Sequence, residues 1–278
     1  MSEHIDAMTP DMTAADADGG ANAYVVTVHG WGGSGRSFDA VQWPAGWRVL
    51  PYEMPGHGDR RDEGPWDIRS ASEDLARFIE RHATAPIPVI VVAHSMGGQL
   101  SLLLNADHPD LLDMEVVIDP AYGADETPAD LIRHHRTFER LRERPYETMT
   151  GFVDGSRSPY LSRSAHDTIV ADVRRANARA LADYYWSEYL ADDQIGGRSR
   201  TITVAARRVK PSFGIYRTED RARFELECGS FASVSWGEDH GHYLQCEMPQ
   251  RLSRTVTAWA SRCGIPSVAS APAVGQTV

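Results

Sequence analysis

The stretch from Pro88 to Gly98 constrains the fold of this chain more than any other. Residues 89–93 are five consecutive apolar residues, most of them β-branched, and such a run is typical of a strand buried on both faces of a parallel sheet. Ser95 follows closely, and the residues after it carry apolar side chains at helical spacing up to Pro109. The stretch therefore predicts a strand, a sharp turn with a serine at its tip, and a helix.

The residues around Ser95 fit a nucleophile elbow, a turn that exposes a nucleophilic hydroxyl at the end of a strand. A serine at this turn has a strained backbone, and the residues two before and two after it must be small because they approach each other. Here they are Ala93 and Gly97; glycine is usual at both places, and we expect the one methyl group of Ala93 to be tolerated. The helix from Met96 directs its N–H groups towards the serine, which suits stabilisation of an oxyanion.

The composition is that of a globular protein and narrows the range of partners. The chain has 278 residues, enough for one large α/β domain or two small ones. Its net charge of −11 argues against nucleic acid or an anionic membrane as a partner, and no apolar run approaches the length of a membrane span. Three widely spaced cysteines and an acidic N-terminus unlike a signal peptide predict a cytoplasmic protein without a disulfide framework or a zinc site.

A glycine-rich loop, residues 29–35, follows the first predicted strand, Tyr24–Val28. A glycine loop in this place can indicate a dinucleotide site, but no acidic residue ends the next strand where the ribose would need one. We interpret the loop as one that brings backbone N–H groups close to a substrate.

Strands and helices alternate along most of the chain, which predicts a mostly parallel sheet with right-handed crossovers. The further predicted elements are a strand at Trp47–Leu50, a helix at Asp67–His82, a strand at Met114–Asp119, strands at Thr201–Ala205 and Phe231–Trp236, and a helix at Met248–Arg262.

The alternation stops between Pro120 and Arg198, where we predict only helices, at Leu131–Arg144 and Ala165–Leu190, separated by residues 151–159. The insert is rich in aromatic residues and is predicted to form a lid over the strand ends. Its aromatic side chains can serve as its own core or as the wall of a ligand pocket, and pockets are largely apolar. The residues expected to bind substrate are Tyr122, Tyr185 and Trp186, whereas His134 and His135 are predicted to lie on a solvated face.

Four features in order make the chain resemble the α/β-hydrolase superfamily along residues 24–262. They are His29-Gly30-Trp31 after the first strand, Pro55-Gly56-His57-Gly58 after the second, the elbow at Ser95, and Gly241-His242-Tyr243-Leu244 near the end. The resemblance implies an α/β-hydrolase core of residues 23–120 and 199–263 and a helical lid of residues 121–198. Residues 1–22 and 264–278 are predicted to be disordered, and the family's leading pair of strands is predicted to be missing.

The resemblance implies a catalytic triad with Ser95 as the nucleophile. A serine needs a base within hydrogen-bond reach, and His242 in its Gly-His-aromatic setting is preferred over His240. Asp119, which ends the strand after the elbow helix, is the preferred acid. The alternatives are Glu219 and Asp220, which lie more than a dozen residues after the strand predicted at Thr201.

The oxyanion hole is expected to use the N–H groups of Met96 and of the Gly30-Trp31 loop. His29 and His57 are expected to brace their turns. We expect no metal and no cofactor.

The resulting hypothesis is a serine hydrolase that cleaves an ester or lactone of a hydrophobic small molecule, acting as a monomer or homodimer. One alternative is a cofactor-independent dioxygenase or a C–C bond hydrolase that uses the His242–Asp119 pair on the same fold. Another is a binding protein with an inactive site, which the presence of nucleophile, base and acid argues against.

Overall fold

A computed structural model describes residues 20–267, and a six-stranded sheet lies at its centre. The strands are β1 (Ala23–Val28), β2 (Trp47–Tyr52), β3 (Val89–His94), β4 (Met114–Ile118), β5 (Ser212–Tyr216) and β6 (Ala232–Ser235). Their order in the sheet is β2-β1-β3-β4-β5-β6, and every neighbouring pair is parallel. The predicted α/β-hydrolase fold with a mostly parallel sheet is confirmed.

The helices lie between and after these strands. They are α1 (Ile68–His82), α2 (Met96–Asp107), α3 (Pro128–Glu143), α4 (Pro145–Gly155), α5 (Arg163–Arg175), α6 (Ala178–Tyr189), α7 (Arg198–Ala205), α8 (Glu219–Glu227), α9 (Leu244–Glu247) and α10 (Pro249–Arg262). The start of α1 follows the sequence prediction because the side chain of Asp67 accepts the N–H of Ser70 as an N-cap. Between residues 20 and 267, no helix is long and apolar enough to cross a membrane.

The two faces of the sheet pack into two separate cores. On the fully buried strand β3, Val91 joins the core that holds Leu75 of α1 and Leu100 of α2. Its neighbour Val92 points the opposite way and joins the core that holds Val256 of α10. This alternation is what a strand covered by helices on both faces requires, and it explains the unbroken apolar run in the sequence.

The strand predicted at Thr201–Ala205 is wrong, because these residues belong to helix α7. Their β-branched side chains favour a strand locally, but Thr201 and Val204, three positions apart, are the residues that a helix buries on one face. The sheet resumes at β5, where Ser212 pairs with Glu115. Glu219 therefore lies three residues after a strand, much closer than the sequence predicted.

The insert also differs from its predicted outline. The helix predicted from Ala165 to Leu190 is two helices, because the side chain of Asn177 accepts the N–H groups of Arg179 and Ala180 and starts α6 there. Helix α4 extends to Gly155, into the segment predicted to separate the helices. Helices α3–α6 share a core of their own, which includes Leu141, Met149, Val153, Val173 and Leu181.

Parts of the predicted tails are ordered. The N–H of Asn22 donates to the carbonyl of Gly46, and Nε1 of Trp47 donates to the carbonyl of Pro266 at 2.8 Å. The other residues of the predicted tails, 1–19 and 268–278, lie outside the described residues. The prediction that the leading pair of strands is missing concerns residues before β1, most of which also lie outside the described residues.

The turn between β3 and α2 packs tightly against the end of β1. A Cβ atom at Gly97 would lie 2.6 Å from the carbonyl oxygen of His29 and 2.8 Å from that of Val28. A Cβ atom at Gly98 would lie 2.5 Å from Cβ of Pro120, which follows β4. The missing side chains allow three strand ends to meet at one point.

This packing predicts opposite effects for two glycine-to-alanine variants. Gly97→Ala should lower the free energy of unfolding by about 1–3 kcal/mol, because backbone atoms must move to admit the methyl group. Gly151→Ala should raise it by roughly 0.5–1 kcal/mol, since Gly151 lies inside α4 with nothing within 4 Å of the added carbon. Urea denaturation measures both, and equal effects of the two substitutions would contradict the account.

Candidate active site

Three side chains from different strand ends meet above the sheet. Ser95 follows β3, Asp119 follows β4, and His242 lies in the loop between β6 and α9. Nε2 of His242 lies 2.8 Å from Oγ of Ser95, and its Nδ1 lies 2.6 Å from Oδ2 of Asp119. All three residues are less than a tenth exposed. In this arrangement an imidazole can take the proton of the serine while a carboxylate orients it.

Ser95 and Asp119 hold unusual backbone conformations. Their φ angles are 53° and 40°, and in the described chain they are the only residues other than glycine with positive φ. Each such position costs of order 1–3 kcal/mol and persists where its surroundings determine it. Here the N–H of Ser95 donates to Ile118, and the carbonyl of Ser95 accepts from Ala121, so the two strand ends hold each other.

The carboxyl group of Asp119 is ionised in the folded protein. Burial alone would raise its pKa, but the hydrogen bond from His242 and the positive charge of Arg217 lower this pKa to about 2. Nε of Arg217 donates to the same oxygen as His242, Oδ2, at 2.9 Å. Arg221 donates to the carbonyl groups of Pro120 and Tyr122, which fixes the chain that follows the aspartate.

The alternative base and acids lie elsewhere. Nδ1 of His240 is 3.0 Å from Oε2 of Glu247, and its ring stacks on Tyr160. Glu219 and Asp220 are exposed in the first turn of α8, where Asp220 pairs with Arg223. These contacts give His240 and Asp220 partners other than Ser95 and His242, and Glu219 is an exposed side chain.

The loop expected to supply an oxyanion N–H lies against the elbow. A Cβ atom at Gly30 would be 2.9 Å from Cβ of Ser95, so only glycine lets the backbone come this close. The indole Nε1 of Trp31 donates to the carbonyl of Leu181 and ties the loop to α6. Met96 is the first residue of α2, so its N–H has no partner within the helix. Met96 directly follows Ser95, and Trp31 lines the same cavity as Ser95.

Two buried histidines hold this loop in place, as the sequence predicted. Nε2 of His57 accepts the N–H of Gly32 at 3.1 Å, and its Nδ1 donates to the carbonyl of Pro55. Nε2 of His29 accepts the N–H of Met54. Burial lowers the pKa of His57 to about 3, so His57 is neutral and able to accept.

His94 is a positioning residue that sequence reasoning missed. Its Nε2–H donates to the carbonyl of His242 at 2.9 Å, and burial followed by the charge of His242 lowers its pKa to about 3. The available signal was a polar residue that ends an otherwise apolar strand just before Ser95.

A cavity of about 1010 Å³ opens over Ser95. Its wall includes the three residues Ser95, Asp119 and His242. It also includes four aromatic residues, Trp31, Phe152, Tyr185 and Tyr189, and polar residues such as Arg140, Arg217, Arg221 and Glu188. Helices α3, α4 and α6 of the insert form the side opposite the strand ends.

Only one of the three residues expected to bind substrate lines this cavity, and it is Tyr185. Tyr122 is a core residue: its hydroxyl donates to Glu225 and accepts from Arg208, and only 1% of the residue is exposed. Trp186 is 40% exposed and packs on Phe138 at the outside of the insert. The predictions for Tyr122 and Trp186 are therefore wrong, because neighbouring residues of a helix or loop face different surroundings.

His134 does not lie on a solvated face as predicted. Its Nδ1 lies 2.8 Å from the hydroxyl of Tyr185, its ring stacks on Tyr189, and it lines the cavity. Glu188, which the sequence did not single out, is buried at the same wall and accepts from Nε2 of Gln99 at 3.1 Å. Burial raises the pKa of Glu188 well above its ordinary value, which favours the neutral form of its carboxyl group.

No group of three or more His, Cys, Asp or Glu side chains among residues 20–267 is arranged to hold a metal ion.

The chain is similar to a family model, to curated sequences and to solved structures. The model of the Alpha/beta hydrolase family matches residues 25–258, in agreement with the resemblance found in the sequence. Lipase LipV of Mycobacterium tuberculosis is 31% identical over 254 residues, which cover 84% of this chain and 92% of that protein. The enol-lactonase from Burkholderia xenovorans LB400 has a TM-score of 0.68 at 16% identity, with 86% of this chain and 91% of that chain covered. At that identity the likeness is one of fold.

A shorter match is to the pimeloyl-(acyl-carrier protein) methyl ester esterase of Neisseria meningitidis. The two sequences are 36% identical over 88 residues. The match spans 31% of this chain and about a third, 32%, of that esterase.

The buried histidines predict a specific pH dependence of stability. The unfolded chain takes up protons on His57 and His94 near pH 6.5, whereas the folded protein takes them up only near pH 3. Between these values the unfolded state holds more protons, so the free energy of unfolding falls as the pH drops, by about 1.4 kcal/mol per pH unit for each histidine. The His57→Gln variant should lose its share of this slope.

Urea denaturation at a series of pH values from neutral down to about 4 measures the slope. The control variant is His135→Gln, at an exposed position of α3, and it should keep the wild-type slope. An unchanged slope in His57→Gln would show that His57 is not held neutral by burial.

Proposed function

We propose that this chain, which belongs to the alpha/beta hydrolase family, is an enzyme that cleaves an ester or lactone of a hydrophobic small molecule through an acyl-enzyme. The single observation that carries the proposal is the position of His242, within hydrogen-bond distance of both Ser95 and Asp119. A serine hydroxyl is a weak nucleophile until an adjacent base takes its proton, and these contacts supply the base and its orienting acid.

The proposed reaction has two halves. In the first, Oγ of Ser95 attacks the carbonyl carbon of the ester, Nε2 of His242 takes the serine proton, and the same nitrogen then protonates the departing alcohol. Asp119 stays ionised and stabilises the imidazolium. In the second half, water replaces the alcohol, and His242 takes a proton from water and returns one to Ser95.

Charge on the substrate oxygen develops beside the Gly30-Trp31 loop and the start of α2. The N–H groups of Trp31 and Met96 are the proposed donors to this oxyanion. The close contact between Gly30 and Ser95 and the brace from His57 to Gly32 support this role, because both hold the loop at a fixed distance from the nucleophile.

The cavity supports a small substrate with an apolar body. Trp31, Phe152, Tyr185 and Tyr189 provide an aromatic wall, and about 1010 Å³ is ample for a small molecule. The names of two similar proteins, a lipase and a methyl ester esterase, agree with a carboxylic ester as the reacting bond.

An activated serine distinguishes this proposal from oxygenase chemistry with the His242–Asp119 pair. A fluorophosphonate should label Ser95 of the wild-type protein stoichiometrically, as peptide mapping would reveal. In Asp119→Asn the labelling rate should fall by at least about a hundredfold, because the imidazolium that forms loses its carboxylate. Asp220→Asn, a change of an exposed acid in α8, should label at the wild-type rate. Wild-type protein that stays unlabelled at Ser95 would overturn the serine hydrolase proposal.

The two neighbouring histidines provide a second test. His242→Gln should reduce turnover of p-nitrophenyl butyrate by about a thousandfold, since the only proposed base is lost. His240→Gln should retain most of the turnover and show a lower melting temperature, because Glu247 loses a buried partner. Comparable loss of activity in the two variants, both folded by circular dichroism, would contradict the assignment of His242.

A further inference from the structure

A second, much smaller cavity adjoins Ser95 and His242. About 20 Å³ of it is open to the centre of a water molecule, and about 10–15 Å³ is enough to hold one. Trp31, Ser95, Phe152 and His242 line both this chamber and the large cavity, so the two spaces meet at the reacting atoms. The chamber is therefore of the right size for one water molecule beside the nucleophile and its base.

The chamber has a polar wall whose groups are not all used within the protein. Gln245 of α9 is 1% exposed, and its Oε1 is buried with no hydrogen-bond partner among residues 20–267. A buried acceptor without a partner costs about 1–3 kcal/mol, so such a group calls for an explanation. The one acid among the described residues of the wall, Asp172, already accepts from Ser34 and Arg36. Gln245 thus lines the chamber with a side-chain acceptor that no described residue uses.

His94 provides a second acceptor. Because its Nε2–H donates to the carbonyl of His242, a neutral His94 carries no proton on Nδ1. A Cβ atom at Gly30 would lie 2.8 Å from this Nδ1, so the atom faces Gly30, which is itself part of the chamber wall. A water in the resting enzyme could donate one hydrogen to Gln245 and the other to His94, while Nε2 of His242 is occupied by Ser95.

We propose that this chamber holds the water that hydrolyses the acyl-enzyme and that Gln245 positions it. The inference rests on the proposed function, because it concerns the second half of that reaction. Once Ser95 is acylated, its oxygen has no proton to share and Nε2 of His242 is free to accept one. The water then donates one hydrogen bond to Nε2 of His242 and the other to Oε1 of Gln245. In this orientation a lone pair of the water oxygen points at the acyl carbon.

The water oxygen forms a bond to the acyl carbon while one water proton moves to Nε2 of His242. The resulting tetrahedral intermediate breaks its bond to Oγ of Ser95, and the proton on His242 passes to that oxygen. The products are the free carboxylic acid and the resting enzyme, and no oxidant, reductant or further reactant is needed.

The Gln245→Met variant tests the proposal. Methionine has a similar length and no acceptor, so removing an unpartnered buried oxygen should leave the melting temperature unchanged or higher. With p-nitrophenyl butyrate, stopped-flow measurement separates the burst of p-nitrophenolate from the later steady state. We expect the burst rate to stay near that of the wild type and deacylation to fall roughly tenfold to a hundredfold. The control Gln250→Met makes the same substitution at an exposed position of α10, keeps Gln245, and should leave both rates within about twofold.

Hydroxylamine gives a readout that a purely structural role would not move. It is a stronger nucleophile than water and needs less activation, so it should restore turnover in Gln245→Met and form the hydroxamate. Unchanged deacylation in Gln245→Met would overturn the proposal, and so would an equal loss of acylation and deacylation, which would mean that the His242 loop itself had moved. Failure of the proposed function looks different, because the wild-type protein would then neither turn over the ester nor react with a fluorophosphonate at Ser95.

Discussion

The hydrogen bond between Nδ1 of His242 and Oδ2 of Asp119, 2.6 Å long, connects two parts of the chain that are 123 residues apart. Its geometry depends on the parallel register of β4, β5 and β6, which brings the residues after β4 and β6 to the same edge of the sheet. Arg217, just after β5, donates to the same carboxylate oxygen. Residues that follow all three strands thus meet at one carboxylate. The chain between β4 and β5, which includes helices α3–α7, folds away from the sheet, so that β5 pairs directly with β4.

The strain at Ser95 and Asp119 is balanced by close backbone packing. Gly30, Gly97 and Gly98 have no side chains where three strand ends converge, and the space they leave is filled by His94, by backbone carbonyl groups and by Pro120. A rigid site of this kind suits an enzyme whose donors must already point at a developing oxyanion. The same density explains why His57 and His94 are neutral, since a charged imidazole would have no water around it.

The sequence is most informative where local residue types and the fold agree. The apolar run before Ser95 predicted β3 and the elbow because a doubly covered strand has few alternatives, and the Gly-His-aromatic motif led to His242. The sequence pattern was misleading at Thr201–Ala205, because β-branched residues there line the buried face of a short helix and not a strand. That error also made Glu219 seem too far from a strand, so the preference for Asp119 rested partly on a wrong boundary. The sequence could not predict which aromatic residues face the cavity. Tyr185 and Trp186 are neighbours in one helix, but their side chains point to different surroundings.

The central claim is that catalysis passes through an acyl group on Ser95. Acid quenching of the enzyme during turnover of p-nitrophenyl butyrate, followed by peptide mass spectrometry, observes this intermediate directly. The account predicts a butyryl group on the peptide that contains Ser95 and none on the corresponding peptide of Ser95→Ala. Turnover of the ester with the acyl group on another residue, or with the Ser95→Ala variant as active as the wild type, would contradict it.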